Sequence, residues 1–272
     1  MIGKGIGRSG RRAALRRGVP GHGWEYDRMH STGGTVKVLI GTAAVLALLT
    51  SCSGQDGGDG AKKAAAASSP AAHRAPQADP TRVPGVGDRL QGQIPAASRQ
   101  VVAVYGKGVD SADSTVVLYT RTGKAWKKSA SWQGHNGKKG WTTAHHENDK
   151  RSPVGVYTLS DAGGVLADPG AALPYTRTAS IQAPHYWAKS HWHDFDYVIA
   201  IDYNRVKGTA PNDPTRPEGQ TKGGSIWLHM DHGSGTSACV SIPKAGMRSL
   251  LTTLDPRQHP VVVMGDKKNL AA

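Results

Sequence analysis

Apolar residues recur along the chain in short, β-branched and aromatic runs separated by polar, glycine-rich stretches. That pattern predicts strands joined by turns. Residues 101–106 (VVAVYG) and 115–120 (TVVLYT) are the clearest runs. Residues 126–132 read as a third strand that ends at Gly134, and 155–159 follow Pro153. Residues 197–202, 225–230 and 261–264 complete the set. One stretch has helical spacing instead: Met247, Leu250, Leu251 and Leu254, with Pro243 before it and Pro256 ending it. The expected fold is mainly β, a mixed β-sandwich or closed sheet, with one helix after Cys239.

The first third of the chain reads differently. Residues 38–51 are apolar over a length that suits a signal-peptide core and is short for a membrane span. They end at Leu49-Thr-Ser-Cys52, which resembles the bacterial lipobox. The resemblance implies acylation of Cys52, cleavage before it, and a lipid anchor on the outer face of the cell membrane. Residues 1–36 make a long leader carrying Arg11-Arg12 and Arg16-Arg17, and a start at Met29 would leave a short one carrying Lys37. Residues 1–51 are therefore set apart as a lipoprotein-type signal segment. Residues 52–85 hold almost no apolar side chain larger than alanine. They cannot bury enough surface to offset their conformational entropy, so they read as a flexible, lipidated linker. The folded domain is expected over 86–267, with 268–272 as a tail.

Composition excludes a disordered chain: 38% of residues are apolar and 20% charged. The formal net charge is +14. Residues 1–51 hold eight Lys or Arg and two Asp or Glu, so they carry +6 and the remainder +8. A spread positive charge suits an acidic wall polymer, or solubility alone. No nucleic-acid motif is present, so no nucleic-acid partner is expected. The two cysteines, Cys52 and Cys239, lie in such different contexts that a disulfide is not expected.

The chemistry concentrates in residues 224–243, GSIWLHMDHGSGTSACVSIP. Alternation along 226–231 puts Ile226, Leu228 and Met230 on one face of a strand, and Trp227, His229 and Asp231 on the other. Gly233 and Gly235 relax a turn, after which Cys239 opens a second strand. A thiol becomes a nucleophile beside a base, so an imidazole at that distance is expected to favour a thiolate–imidazolium pair and depress the thiol pKa. Backbone N–H groups around Ala238 and Cys239 are candidates for an oxyanion hole. Taken alone, a single cysteine is more often an apolar filler and a single histidine structural. Zinc is a competing reading: His191, His193, His229 and His232, with Asp194, Asp231 and Cys239, are ligand types. Their spacing matches no metal motif, so no metal and no cofactor is expected. His145 and His146 read as surface residues. The aromatic-rich segment 183–193, with Trp187 at its centre, reads as a loop that stacks on sugars, closes over a cleft, or folds onto the sheet.

The 224–243 segment resembles the catalytic motif of the L,D-transpeptidases, the YkuD-type domain of bacterial cell-wall enzymes. His229 matches the family's histidine, Thr236 its Ser/Thr and Cys239 its nucleophile. Arg151-Ser-Pro-Val-Gly-Val-Tyr157 resembles the Thr-Pro-x-Gly-x-Tyr/Phe segment. Tyr203-Asn204 and Gln100-Val-Val-Ala-Val resemble features of the secreted actinobacterial branch. Together the matches span most of residues 95–265. The chain departs from the family at Ala238, where glycine is usual, at Ser241, where arginine is common, and in a short loop between His229 and Cys239. Alanine at 238 would be strained if the backbone there had a positive φ.

The resemblance implies transfer between peptidoglycan stem peptides through a Cys239 thioester, joining third stem residues. His229 would move the proton, oriented by the Met230 carbonyl. Tyr203, Asn204, Trp227, Trp187 and His232 are substrate-binding candidates. An L,D-carboxypeptidase, or a non-catalytic wall-binding lipoprotein with a degenerate site, are the alternatives.

Overall fold

The computed structural model describes residues 79–272. The apolar run at 38–51, Cys52 with its lipobox, Met29 and the linker as far as residue 78 lie outside the described residues. Among the described residues no helix is long and apolar enough to cross a membrane.

Among the described residues, twelve strands follow in chain order. They are β1 (Gln100–Gly106), β2 (Asp113–Thr122), β3 (Ala125–His135), β4 (Trp141–Thr142), β5 (Ser152–Pro153) and β6 (Gly155–Thr158). Then come β7 (Ala162–Gly164), β8 (Tyr175–Arg177), β9 (Val198–Ala200), β10 (Trp227–Met230), β11 (Val240–Ile242) and β12 (Val261–Asp266). Ten of them form one mixed sheet in the order β6-β12-β1-β2-β3-β11-β10-β9-β7-β8, while β4 and β5 pair separately. The mainly β architecture expected from the apolar runs is therefore present, as a large sheet that curls on itself. The curl follows from the core: one continuous cluster takes Val102 and Val104 from β1, Leu228 from β10, Ile199 from β9 and Ala162 from β7. Strands so far apart in the sheet share a cluster only if the sheet wraps around it.

Helix α1 (Asp88–Gln91) precedes the sheet. Helix α2 (Lys244–Thr253) fills the wrap, with Met247, Leu250, Leu251 and Leu254 all fully buried. Their helical spacing keeps them on one stripe, and Pro243 stands at the N-cap. The opposite face of β1 and β12 carries Val101, Ala103, Val261 and Val263. It is covered by Val83, Val86, Leu90 and Ile94 and by Leu270 of α3 (Lys267–Ala271). The packed region thus runs beyond 86–267 at both ends. Trp126 N–H donates to the Pro80 carbonyl and Gly87 N–H to the Leu270 carbonyl. Leu270→Ala is expected to lower stability by about 2–5 kcal/mol, the usual cost of emptying a buried leucine site, as read by urea denaturation.

Candidate active site

Strands β10 and β11 run parallel, with Leu228 opposite Val240, His229 opposite Ser241 and Met230 opposite Ile242. Side chains at paired positions of a parallel ladder face the same way. Extending the register by one step places Cys239 beside Trp227, and the Trp227 N–H meets the Cys239 Sγ at 3.4 Å. The Sγ–H in turn points to the Ser225 carbonyl at 3.5 Å. His229 and Cys239 therefore share one sheet face on adjacent strands, two residues out of step. Among the described residues no hydrogen bond joins the thiol to the imidazole.

Ile226, Leu228 and Met230 face the main core, and Trp227 lies in a separate cluster with Ile181, Val198 and Ala200. The alternation read from the sequence is the one observed, but the second face is also covered. Phe195 meets the Trp227 ring edge-on at 5.1 Å and the His229 ring at 5.3 Å. Trp187 meets Phe195 edge-on in turn. The aromatic-rich segment, continued by Asp194 and Phe195 just beyond it, is thus a wall folded against His229, tied to β10 where the Met230 N–H donates to the Asp194 carbonyl. His229 is 3% exposed, while Cys239 is half-buried.

Burial sets the charge state. It pushes the Cys239 thiol up to about 12; the Trp227 N–H opposes that rise and the nearby Asp194 carboxylate adds to it. Burial also lowers the His229 pKa, against the pull of Asp194 and the Met230 carbonyl. The resting pair is therefore a neutral thiol and a neutral imidazole. This corrects the expected thiolate–imidazolium pair: both charged forms lose their hydration here, and no hydrogen bond between them compensates.

The tautomer follows from geometry. His229 Nδ1 lies 2.8 Å from the Met230 carbonyl oxygen. A carbonyl only accepts, so Nδ1 carries the proton and Nε2 of the neutral ring keeps its lone pair.

The loop between the strands is held at several points. Thr236 bridges Gly137; its N–H donates to the Asn136 carbonyl and its carbonyl accepts from the Lys138 N–H. Thr236 Oγ1 donates to the Cys239 carbonyl at 2.7 Å. Ser152 Oγ donates to the Ala238 carbonyl at 2.6 Å and accepts from the Gly137 N–H at 2.9 Å. Because the peptide is trans, an Ala238 carbonyl turned toward Ser152 turns the Cys239 N–H to the opposite side. Ala238 is not among the residues with positive φ, so alanine is unstrained there; Ser225, at φ 53°, is the strained neighbour. Ser152→Ala would leave the buried Ala238 carbonyl and Gly137 N–H without this partner. A loss of about 1–3 kcal/mol is expected in thermal or urea unfolding.

Other expected residues fall elsewhere. Tyr203 and Asn204 are buried, and their polar atoms brace the 216–223 loop. Tyr203 Oη donates to the Lys222 carbonyl at 3.0 Å, with the His145 carbonyl sharing the same proton at 3.3 Å. Asn204 Nδ2 donates to the carbonyls of Gly219 and Gly223, and its Oδ1 accepts from the Glu218 N–H. They support the loop rather than present free groups to a ligand, although both rim a cavity of about 320 Å³ bounded by His145, Pro153, Tyr157 and Lys222. Trp227 Nε1 donates to the Pro211 carbonyl, so this ring too is a packed wall. The His145 side chain, expected at the surface, is 3% exposed and stacks edge-on against Tyr203. Ser241 is fully buried and donates to Asp231, which also pairs with His135 at 2.7 Å. His232 stacks parallel to His229 with ring centres 6.3 Å apart. Burial lowers the His232 pKa, but Asp194 outweighs it and the net shift is upward.

Ser152, Asn136 and Phe195 are not singled out by the sequence, and Asp194 only as a metal-ligand type. Ser152 lies inside the 151–157 segment and has a signal there; Asn136 and Phe195 reach the site only through tertiary packing.

No family model matches the chain, and no curated protein matches it. Among solved structures, it is similar to the helical cell shape determining protein Pgp2 from Campylobacter jejuni. The identity is 15% and the TM-score 0.36, over 64% of this chain and 49% of that one. It is also similar to Bd1075 from Bdellovibrio bacteriovorus, at 16% identity and a TM-score of 0.35, over 68% of this chain and 52% of that one. The chain spans about half the length of both.

Proposed function

We propose that the protein is an extracytoplasmic cysteine acyltransferase acting on peptidoglycan stem peptides, held at the membrane by a lipid on Cys52. The observation that carries the reading is the shared face of β10 and β11. It sets Cys239 one strand from a histidine whose Nδ1 is fixed by Met230 and whose Nε2 is free to take a proton. The lipid anchor rests on the lipobox alone.

The step balances without a cofactor. The Cys239 proton passes to His229 Nε2 as sulfur attacks the carbonyl carbon of the third stem residue. The C–N bond to the terminal residue breaks, and its amine leaves with the proton from the imidazolium. An amine of a second stem then attacks the thioester, His229 takes its proton, and the thiol is restored as the crosslink forms. Water in place of the amine gives carboxypeptidase activity. The backbone N–H of Cys239, turned away from Ser152, is the donor for the transient oxyanion. Because the resting thiol is neutral, proton transfer belongs to the attack itself, when substrate charge and the oxyanion donor are in place.

The resting state has a measurable consequence. A thiol near 12 has its thiolate fraction rising tenfold per pH unit through the neutral and alkaline range. At pH 8, Cys239 is expected to react with iodoacetamide on the order of 10³-fold more slowly than a free cysteine, with no plateau below about pH 11. A plateau near neutral pH would show an ionised resting thiol instead. The activity itself is tested by incubating stem tetrapeptides with the protein and weighing the products. Loss of the terminal residue, with or without dimer formation, supports the reading, and unchanged peptides at all enzyme levels contradict it.

A further inference from the structure

Beside the thiol–imidazole pair lies a cluster that the proposed reaction does not use. The carboxylate Oδ2 of Asp194 is 3.0 Å from His191 Nδ1 and 3.0 Å from His232 Nδ1. The two imidazoles meet at 4.1 Å between ring centres, and the three ligand atoms all lie within 4.8 Å of one another. Ligands around a tetrahedral zinc, at about 2.0–2.1 Å from the metal, stand about 3.3 Å from each other. Two of the three separations, at 3.0 Å, are already close to that spacing.

His232 supplies the second observation. Its side chain is 4% exposed and its ring nitrogens are buried. Nδ1 lies 3.0 Å from Asp194 Oδ2 but out of line for a good hydrogen bond, and the ring is held by the pull of Asp194 and of the Gly235 backbone. A cation at the point where the two Nδ1 atoms and Oδ2 converge would give each of the three a directed partner. Two neutral imidazoles and one carboxylate are a common zinc donor set, with a water to complete four-coordination.

We propose that His191, Asp194 and His232 bind a divalent transition metal, zinc by donor type, which clamps the aromatic wall to the loop that follows β10. His191 and Asp194 lie on the wall segment, and His232 begins the loop that leads to Cys239. The metal thus joins the two elements that enclose His229. Linear spacing hides such a site: two ligands sit three residues apart in one loop, and the third comes from another loop 38 positions on. This runs against the expectation of no metal drawn from spacing.

The test uses the full chain, purified without imidazole, exposed to Zn(II) and dialysed, with bound metal measured by elemental mass spectrometry. About one zinc per chain is expected, lost at least tenfold in Asp194→Asn and in His232→Ala. His193→Ala should keep it, since that ring is 74% exposed and pairs with Asp196 instead. Cys239→Ala should also keep it, which separates this site from the acyl-transfer reading. Should His232→Ala misfold, His191→Gln and the visible absorption of Co(II)-loaded wild type give the same answer. A wild-type chain that dialyses free of zinc, with a thermal midpoint moved by neither Zn(II) nor EDTA, overturns the site and leaves a His–Asp–His hydrogen-bonded cluster. Loss of zinc in Cys239→Ala overturns the three-ligand assignment.

Discussion

Cys239→Ala is expected to reduce stem-peptide turnover to background while the fold stays intact. The sulfur is the atom that bonds to substrate, and alanine offers nothing in its place. The structural cost is small by comparison. The thiol makes two long polar contacts, to Trp227 N–H and Ser225 carbonyl, and otherwise packs at the margin of the Trp227 cluster. The loop around it is held by Thr236 and Ser152, which bond to backbone carbonyls and do not depend on the side chain. A change of about 1 kcal/mol or less in unfolding free energy is expected, against complete loss of product. If the variant turns over substrate as wild type does, the nucleophile lies elsewhere. If it melts far below wild type, Cys239 is a packing residue.

His229→Gln is expected to lower turnover by about 10²–10⁴-fold, the usual contribution of a positioned general base. Glutamine keeps most of the volume beneath Phe195 and can still donate to the Met230 carbonyl, so stability should fall little. What it lacks is the Nε2 lone pair. The burial that lowers the His229 pKa keeps that lone pair available down to below the ordinary imidazole range. The sign follows from the direction of the shift. Turnover falls as acid protonates Nε2, and it does so at a lower pH than an unperturbed histidine would give. An acid limb centred above the ordinary histidine value contradicts this, as does a His229→Gln enzyme with unchanged rate.

Most of the sheet was legible because its long strands carry β-branched runs that are hard to read otherwise. β1, β2, β3, β10 and β12 lie where the runs predicted them. The helix was legible because Met247, Leu250, Leu251 and Leu254 repeat with its period. The short strands β4, β5, β7 and β8 were not: they are two or three residues long and lack an apolar β-branched run, unlike the equally short β9 and β11, which lie within such runs. The ends were misjudged for a related reason. Val83 and Leu270 are single apolar residues in polar stretches, and only their burial against β1 and β12 gives them a role.

At the site, the residue types and the alternation of 226–231 could be read, and so could the candidate partner of His229. The charge state could not. A pair of residue types suggests an ion pair, but the outcome depends on desolvation by Phe195, Trp227 and the wall they belong to, which comes from 30 or more positions away in the case of Phe195. Tyr203 and Asn204 show the same limit from the other side. Their adjacency suggested a ligand contact, whereas their side chains answer the carbonyls of a loop.

The central claim is that the Cys239 sulfur forms a covalent bond to an acyl group with His229 moving its proton. The direct measurement is the intact mass of the full chain after exposure to a carbapenem, followed by peptide mapping of any adduct. The account predicts a single adduct on the peptide containing Cys239, formed far more slowly in His229→Gln and absent from Cys239→Ala. An unmodified wild-type mass after prolonged exposure, or an adduct that persists in Cys239→Ala, contradicts it.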